Sequence, residues 1–147
     1  MAEIIINGDR KLSGEIKIQG AKNSVLPVLA GTLLCEDECV IVNCPALSDV
    51  DTSLKILSQL GCECYFEDNC AHINAISPKG HSIPDNLMRE MRSSVVFLGA
   101  IIGRMKKAVI SSPGGCELGP RPIDLHLSAL KKLGVKIVEE HGYLYCD

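Results

Sequence analysis

The chain has 147 residues, a net charge of −3 and 46% hydrophobic residues, which is enough for a domain with a real core. It has no tryptophan, few other aromatic residues and no basic tract longer than two lysines, which argues against a nucleic-acid surface. Its first residues are too acidic for a signal peptide, and the apolar runs at 25–34 and 95–102 are too short to span a bilayer. We therefore expect a soluble, cytoplasmic protein without a nucleic-acid or membrane partner.

The N-terminal half alternates predicted strands and helices. Residues 3–7 and 15–19 alternate apolar and polar side chains and predict a short strand pair. Asn23 or Ser24 is expected to cap a helix that runs to about residue 34, with Pro27 in its first turn. There follow a strand at 39–43, a helix at 51–60 that ends at Gly61, and a hairpin with strands at 62–66 and 71–75.

The C-terminal half predicts the same order of elements. These are a helix at 92–104, a strand at 108–111, a helix at 123–133 and a hairpin within 135–145. Residues 51–61 align with 124–134 at an offset of 124 − 51 = 73, and residues 22–26 align with 92–96 at an offset of 92 − 22 = 70. Such self-similarity indicates two copies of one unit, the second with three extra residues between its helices. The pattern predicts an α/β fold with helices packed on sheets.

Eight cysteines leave three alternatives, namely disulfides, a metal site or reduced core thiols. No Cys-x-x-Cys pair and no histidine at a ligand spacing is present. Cysteines such as Cys62 and Cys64 fall in apolar strand patterns, where a reduced thiol behaves as a small hydrophobe. We predict reduced thiols and no metal. Cys116 is the exception, because it lies on a glycine-rich loop with cations nearby, which favours a reactive thiolate.

Three cations predict an anion-binding site. Lys22 and Arg92 occupy equivalent positions, each at the start of the first helix of its copy. A cation there does not suit the helix dipole, but with the free backbone N–H groups it can receive an incoming anion. Solvated side chains at helix ends are the alternative. Arg121, close to Cys116, favours a phosphate or carboxylate pocket, although no glycine motif of a nucleotide-binding loop is present.

Three segments carry a family resemblance, GAKNS at 20–24, MRSS at 91–94 and PGGCELGPRPIDLH at 113–126. In this order they resemble the UDP-N-acetylglucosamine 1-carboxyvinyltransferase family, whose members are enolpyruvyl transferases. The resemblance implies an inside-out α/β barrel of repeated βαβαββ-type units. Two units of an incomplete domain would be present here, while a third unit and a second domain would be missing.

The resemblance also implies domain boundaries. Residues 1–20 would be a strand pair that belongs to the second domain, and residues 21–147 an incomplete first domain. Its first repeat would cover about 21–76 and its second about 91–147. Because the second domain would supply a carboxylate base and further arginines, we expect this chain alone to be catalytically silent and to self-associate through its unpaired N-terminal strands.

Residue roles follow from the same resemblance. Cys116 would protonate the methylene carbon of the enolpyruvyl group, form a covalent adduct and react with fosfomycin. His126 would be a supporting neighbour of this loop. The substrates would be phosphoenolpyruvate and UDP-N-acetylglucosamine, with no cofactor, and the reaction would open peptidoglycan synthesis. Substrate contacts would come from Lys22, Asn23, Arg92, Arg121, Pro122, Ile123, Asp124 and Leu125.

Two other functions remain open on the residues themselves. One is a non-catalytic module of the same fold that binds an anion or a nucleotide sugar. The other is a thiol-dependent enzyme with Cys116 as nucleophile and His126 as base, because their separation along the chain does not determine their distance in space.

Overall fold

The computed structural model describes residues 3–9, 11–111 and 122–147 of the chain. The first half contains α1 (Lys22–Thr32), β1 (Glu38–Ile41), α2 (Ser48–Gln59), β2 (Glu63–Glu67) and β3 (Cys70–Asn74). The second half contains α3 (Asp85–Glu90), a 3₁₀ helix (Arg92–Val96), α4 (Phe97–Met105), β4 (Ala108–Ser111), α5 (Asp124–Lys132), β5 (Ile137–Glu140) and β6 (Tyr143–Cys146). The predicted α/β composition and the two hairpins are confirmed.

Two three-stranded antiparallel sheets share one topology. Their strand orders are β1-β3-β2 and β4-β6-β5, so the last strand of each unit is central. In the first sheet Ile73 pairs with Cys39, and in the second Cys146 pairs with Ala108. The central strands are related by 146 − 73 = 73 residues and the first strands by 108 − 39 = 69. Both sheets therefore have the same order and register, as the sequence repeat predicts.

The sheet register refines the position of the inserted residues. Because the first strands are related by 69 residues and the following helices by 124 − 51 = 73, the strand-to-helix connection is 73 − 69 = 4 residues longer in the second copy. The sequence alignment gives only three extra residues between the two helices of the second copy. The difference arises because the connection from the first helix to the strand is one residue shorter in the second copy, 70 − 69 = 1. Residues 112–121, which form most of the longer connection, lie outside the described part of the chain.

A single hydrophobic core joins the two copies. Leu29 of α1, Ile56 and Leu57 of α2, and Phe97 and Ile101 of α4 are all fully buried. Helix α1 packs against both α2 and α4, so the two copies meet through α1. Aliphatic side chains at helical spacing supply this burial, which is the main favourable contribution to folding.

The predicted N-terminal strand pair is absent from the structure. Residues 3–9 and 11–20 contain no helix or strand, and Ile4, Ile6 and Ile16 are 86–87% exposed. An alternating pattern indicates a strand only where a neighbouring strand takes its backbone hydrogen bonds. Within the described residues, neither three-stranded sheet pairs with this segment.

Two predictions about α1 are wrong. The helix begins at Lys22 after Ala21, without a side-chain cap, so Asn23 and Ser24 lie inside its first turn. The Ala21 carbonyl instead accepts hydrogen bonds from the backbone N–H groups of Ser24 and Val25, at 3.1 and 3.0 Å. Pro27 therefore lies in the helix interior and not in the first turn. Because proline has no backbone N–H, it removes one hydrogen-bond donor from the interior of the helix.

The predicted helix at 92–104 is divided into two elements. Residues 92–96 form a 3₁₀ helix and residues 97–105 form α4, while the preceding α3 was not predicted. A 3₁₀ turn is common at the start of an α-helix and leaves no separate mark in the apolar pattern. Within the described residues, no helix combines the length and apolar character needed to cross a bilayer.

Candidate functional site

Lys22 lies at the junction of two helix N-termini. Its Nζ is 2.7 Å from Oδ2 of Asp49, and the two side chains are 52% and 23% exposed. Asp49 belongs to the first turn of α2, where the helix dipole favours a negative charge. The first turn of α1 has no acidic residue. The predicted cation is thus present at the start of α1, half exposed and held by one carboxylate.

The backbone just before Lys22 packs closely against the connection from β1 to α2. A Cβ at Gly20 would collide with the Asn43 carbonyl oxygen and lie 3.3 Å from Cδ of Pro45. Asn43 itself adopts a φ of 52°. A glycine at position 20 is therefore required for this close approach. Beside it is a cavity of about 460 Å³, lined by Lys17, Ile18, Gln19, Val42, Asn43, Cys44, Pro45, Asp68 and Asn69.

Arg92 begins the 3₁₀ helix, and the structure describes its backbone only. The preceding Met91 is 1% exposed, and the Ser53 hydroxyl of α2 lies 3.4 Å from its sulfur. The hydroxyl of Thr52 donates a 3.4 Å hydrogen bond to Glu90, and Lys55 lies 3.6 Å from the same carboxylate. Helix α2 therefore contacts Lys22 at its first turn and the residues before Arg92 one turn later.

The remaining predicted binding residues lie on exposed surface. Asn23 is exposed in the first turn of α1. At the other end of the chain, Ile123 is half-buried and Leu125 is 81% exposed. None of the side chains of α5 is buried. The exposed residues in this group also include Pro122, Asp124 and His126.

Two central residues of the prediction, Cys116 and Arg121, lie outside the described residues. The convergence of Lys22, Arg92 and Arg121 around one anion, and the nearness of His126 to Cys116, therefore stay predictions. What the described part does establish is that α1 and the 3₁₀ helix, the two elements that begin with Lys22 and Arg92, pack against each other.

The seven described cysteines are free thiols in different environments. Burial raises the pKa of Cys62 to about 11, with a smaller contribution from Cys64 and an opposing one from Arg104. Burial also raises the pKa of Cys44 and Cys146. Protonated buried thiols are poor nucleophiles. Among the described residues, no group of three or more His, Cys, Asp or Glu side chains is arranged to hold a metal ion.

Sequence reasoning did not find Asp49. The residue begins a helix, where acidic side chains are common, so its position carries no functional signal by itself. A comparison of the two copies could have found it. At the offset of 73, Asp49 corresponds to 49 + 73 = 122, which is Pro122. Only the first copy has a carboxylate at this position.

Comparison with known proteins identifies the class of fold. The enolpyruvyl transferase NikO from Streptomyces tendae superposes with a TM-score of 0.78 at 20% identity, over 95% of this chain and 31% of that one. At this identity the likeness concerns the fold alone. A model of the EPSP synthase (3-phosphoshikimate 1-carboxyvinyltransferase) family matches residues 6–147. The chain belongs to this family.

Curated relatives are more similar still. UDP-N-acetylglucosamine 1-carboxyvinyltransferase 2 of Caldanaerobacter subterraneus subsp. tengcongensis is 53% identical over 99% of this chain. The UDP-N-acetylglucosamine 1-carboxyvinyltransferases of Endomicrobium trichonymphae and Histophilus somni are each 42% identical over 98% of it. The chain spans about a third of the length of these relatives, 34–35%.

Proposed function

We propose that this chain is the N-terminal part of an enzyme that transfers the enolpyruvyl group of phosphoenolpyruvate to the 3′-hydroxyl of UDP-N-acetylglucosamine. The observation that carries the proposal is the 53% identity, over 99% of this chain, to a relative of that name. The reaction would be the first committed step of peptidoglycan synthesis, in the cytoplasm, by a target of fosfomycin. The rest of the enzyme would supply a third unit and a second domain.

The geometry at the start of α1 supports phosphate binding. Lys22 is half exposed, and its ammonium has three donors, of which the ion pair with Asp49 takes one. The other two donors and the free N–H groups of the helix start are available to phosphate oxygens. The backbone of Arg92 is on a neighbouring element, and α2 contacts both regions. A half-exposed ammonium beside the free N–H groups of a helix start suits an anion better than an uncharged ligand.

The chemistry assigns a task to each predicted residue. Lys22, Arg92 and Arg121 hold the phosphate, and Asn23 contacts both substrates. The carboxylate base expected from the second domain takes the proton of the 3′-hydroxyl, whose oxygen adds to C2 of phosphoenolpyruvate, while the thiol of Cys116 gives its proton to C3. The Cys116 thiolate then takes a proton back from C3 as phosphate leaves C2, which restores the double bond. The cations stabilise the negative charge that grows on the departing phosphate.

The domain assignment is part of the same proposal. The exposed isoleucines in residues 3–18 support a segment that pairs with strands of the second domain. In the proposed enzyme, residues 21–147 form two of the three units of the first domain. The segment at 121–125 lies against the uridine, and His126 supports the loop of Cys116. The exposed surface of α5 agrees with substrate contacts there.

A hybrid enzyme tests this proposal. It consists of residues 1–147 followed by the part of the Caldanaerobacter relative beyond the matched segment. We expect phosphate release from phosphoenolpyruvate with UDP-N-acetylglucosamine as acceptor, and none with 3-phosphoshikimate, the acceptor in the family's name. The relative's remainder without residues 1–147 is the control and should be inactive.

The other outcomes of this experiment separate the alternatives. Phosphate release with 3-phosphoshikimate alone would show that the hybrid enzyme uses a different acceptor from the one proposed. Binding of UDP-N-acetylglucosamine by a folded hybrid without turnover would favour the non-catalytic binding module instead.

A further inference from the structure

We propose that Asp49 is the residue that positions the ammonium of Lys22 for the transferred phosphate, an inference that rests on the proposed function. The carboxylate is the more buried partner of the 2.7 Å pair, at 23% exposed against 52% for the lysine. It also lies in the first turn of α2, where the helix dipole stabilises it. Asp49 is therefore the fixed partner, and the long, flexible lysine is the one that is held.

The backbones on both sides of this ion pair are fixed as well. Gly20 lies directly against Asn43 and Pro45, which belong to the connection that leads into α2. The start of α1 and the start of α2 are thus packed together, two residues before Lys22 and a few residues before Asp49. Because both backbones are held in place, only the direction of the Lys22 side chain is left to be determined. The carboxylate determines that direction.

In the second copy the residue aligned with Asp49 is not acidic, and it precedes helix α5 instead of lying in its first turn. Arg92 corresponds to Lys22 at an offset of 70, while Pro122 corresponds to Asp49 at an offset of 73. The second sheet nevertheless has the same strand order as the first. A half-exposed ion pair also contributes little to stability. The carboxylate at position 49 is better explained by its effect on Lys22 than by a structural requirement.

Removal of the carboxylate has two opposite effects on catalysis. It makes the site more positive, so phosphoenolpyruvate binds at least as well in the ground state. It also releases the ammonium from the place where negative charge grows as phosphate departs, so the chemical step slows. The inference therefore predicts a lower kcat without a higher KM for phosphoenolpyruvate. Because loss of folded protein would also lower the apparent kcat at unchanged KM, kcat is calculated per folded enzyme, whose amount circular dichroism measures.

The first test compares Asp49→Asn with Asp51→Asn in the hybrid enzyme. Asp51 is an exposed carboxylate in the same helical turn, so its variant loses the same charge near the same helix end. We expect Asp49→Asn to lower kcat about tenfold or more, with KM for phosphoenolpyruvate unchanged or lower. Asp49→Glu should recover part of kcat, and Asp51→Asn should behave as the parent. Parent kinetics in Asp49→Asn, or a raised KM with unchanged kcat, would overturn the inference.

The second test needs no activity and uses the 147-residue chain itself. In the chain labelled with ¹⁵N-lysine, at low temperature and mildly acidic pH, an ammonium held in an ion pair exchanges its protons with water more slowly than a free one and keeps its Nζ–H correlation in nuclear magnetic resonance spectra. We expect such a signal from Lys22 in the parent and in Asp51→Asn, and its loss in Asp49→Asn. Its persistence in Asp49→Asn would overturn the inference.

These two tests separate the inference from the proposed function. An inactive parent hybrid would count against the proposed function, while the lysine signal would still report on Asp49. An active parent hybrid with an unaffected Asp49→Asn variant would count against the inference alone.

Discussion

Arg104 joins the two copies of the unit, and its replacement by methionine should cost more stability than any exposed ion pair. Its side chain is 18% exposed and leaves α4 toward the first sheet. One terminal nitrogen is 2.9 Å from Oε1 of Glu36, and the other donates to the carbonyls of Ala75 and Ile76 at 3.3 and 3.1 Å. Methionine keeps the apolar stem in place but removes all three interactions.

The size of the effect follows from the partners. Hydrogen bonds from a charged donor are worth about 1.5–3 kcal/mol, and the bonded carbonyls would lose this donor. The carboxylate of Glu36 is 83% exposed, so its own share is about 0–1 kcal/mol. We expect Arg104→Met to lower the free energy of unfolding by about 2–3 kcal/mol, and Glu36→Gln by no more than about 1 kcal/mol.

Urea unfolding followed by circular dichroism measures this difference. With a slope of about 2 kcal/mol per molar urea for a chain of this size, Arg104→Met should lower the midpoint by about 1–1.5 M. The matched control is Arg89→Met, because Arg89 is 79% exposed and pairs with Asp85 at 2.7 Å within one helix. That variant should change the free energy by at most about 0.5 kcal/mol. Equal shifts in the two variants would refute the reasoning.

Three further predictions concern the backbone at Gly20 and the thiols. Gly20→Ala should displace the start of α1, because the new Cβ would collide with the Asn43 carbonyl oxygen. The displacement should remove the Nζ–H signal of Lys22, and an unchanged spectrum would contradict the prediction. Burial raises the pKa of Cys62 from an ordinary 9.0 to about 11 in the folded chain. The stability that the chain gains from keeping this thiol neutral is therefore fully present below pH 9 and is lost as the pH rises toward 11. The free energy of unfolding should therefore fall by up to about 1.4 kcal/mol per pH unit in that window, and Cys62→Ala should make the fall shallower. Cys116 should be alkylated ahead of the other cysteines in peptide mapping of native protein, and faster labelling of Cys62 or Cys64 would contradict its assignment as the reactive thiol.

The repeated elements could be predicted because each has a local signal. The hairpin of β2 and β3 turns at Asp68 and Asn69, both of which adopt positive φ, as short polar side chains readily do. Strand β4 was predicted with its observed bounds from a single apolar run. Helix α2 has apolar residues at helical spacing and ends just before Gly61, which has a φ of 96°. These signals are contained in a few neighbouring residues.

The errors concern features that depend on distant residues. Residues 3–7 have the pattern of a strand, but a strand also needs a partner. The ion pair of Lys22 with Asp49 joins two helices across 27 positions, 49 − 22 = 27, and Asp49 is not unusual in the first turn of its own helix. The candidate site was therefore predicted as a set of residue types, and the contact that orients its first cation became visible only in the fold.

The hybrid enzyme offers the most direct test of the central claim, that this chain supplies the loop thiol and cations of a UDP-N-acetylglucosamine enolpyruvyl transferase. The measurement is the mass of the acceptor after incubation with phosphoenolpyruvate, for the parent hybrid and for its Cys116→Ala and Lys22→Met variants. We predict one added enolpyruvyl group per UDP-N-acetylglucosamine with the parent hybrid, and little or no product with either variant. Unmodified UDP-N-acetylglucosamine with a folded parent hybrid, or full product formation by both variants, would contradict the account.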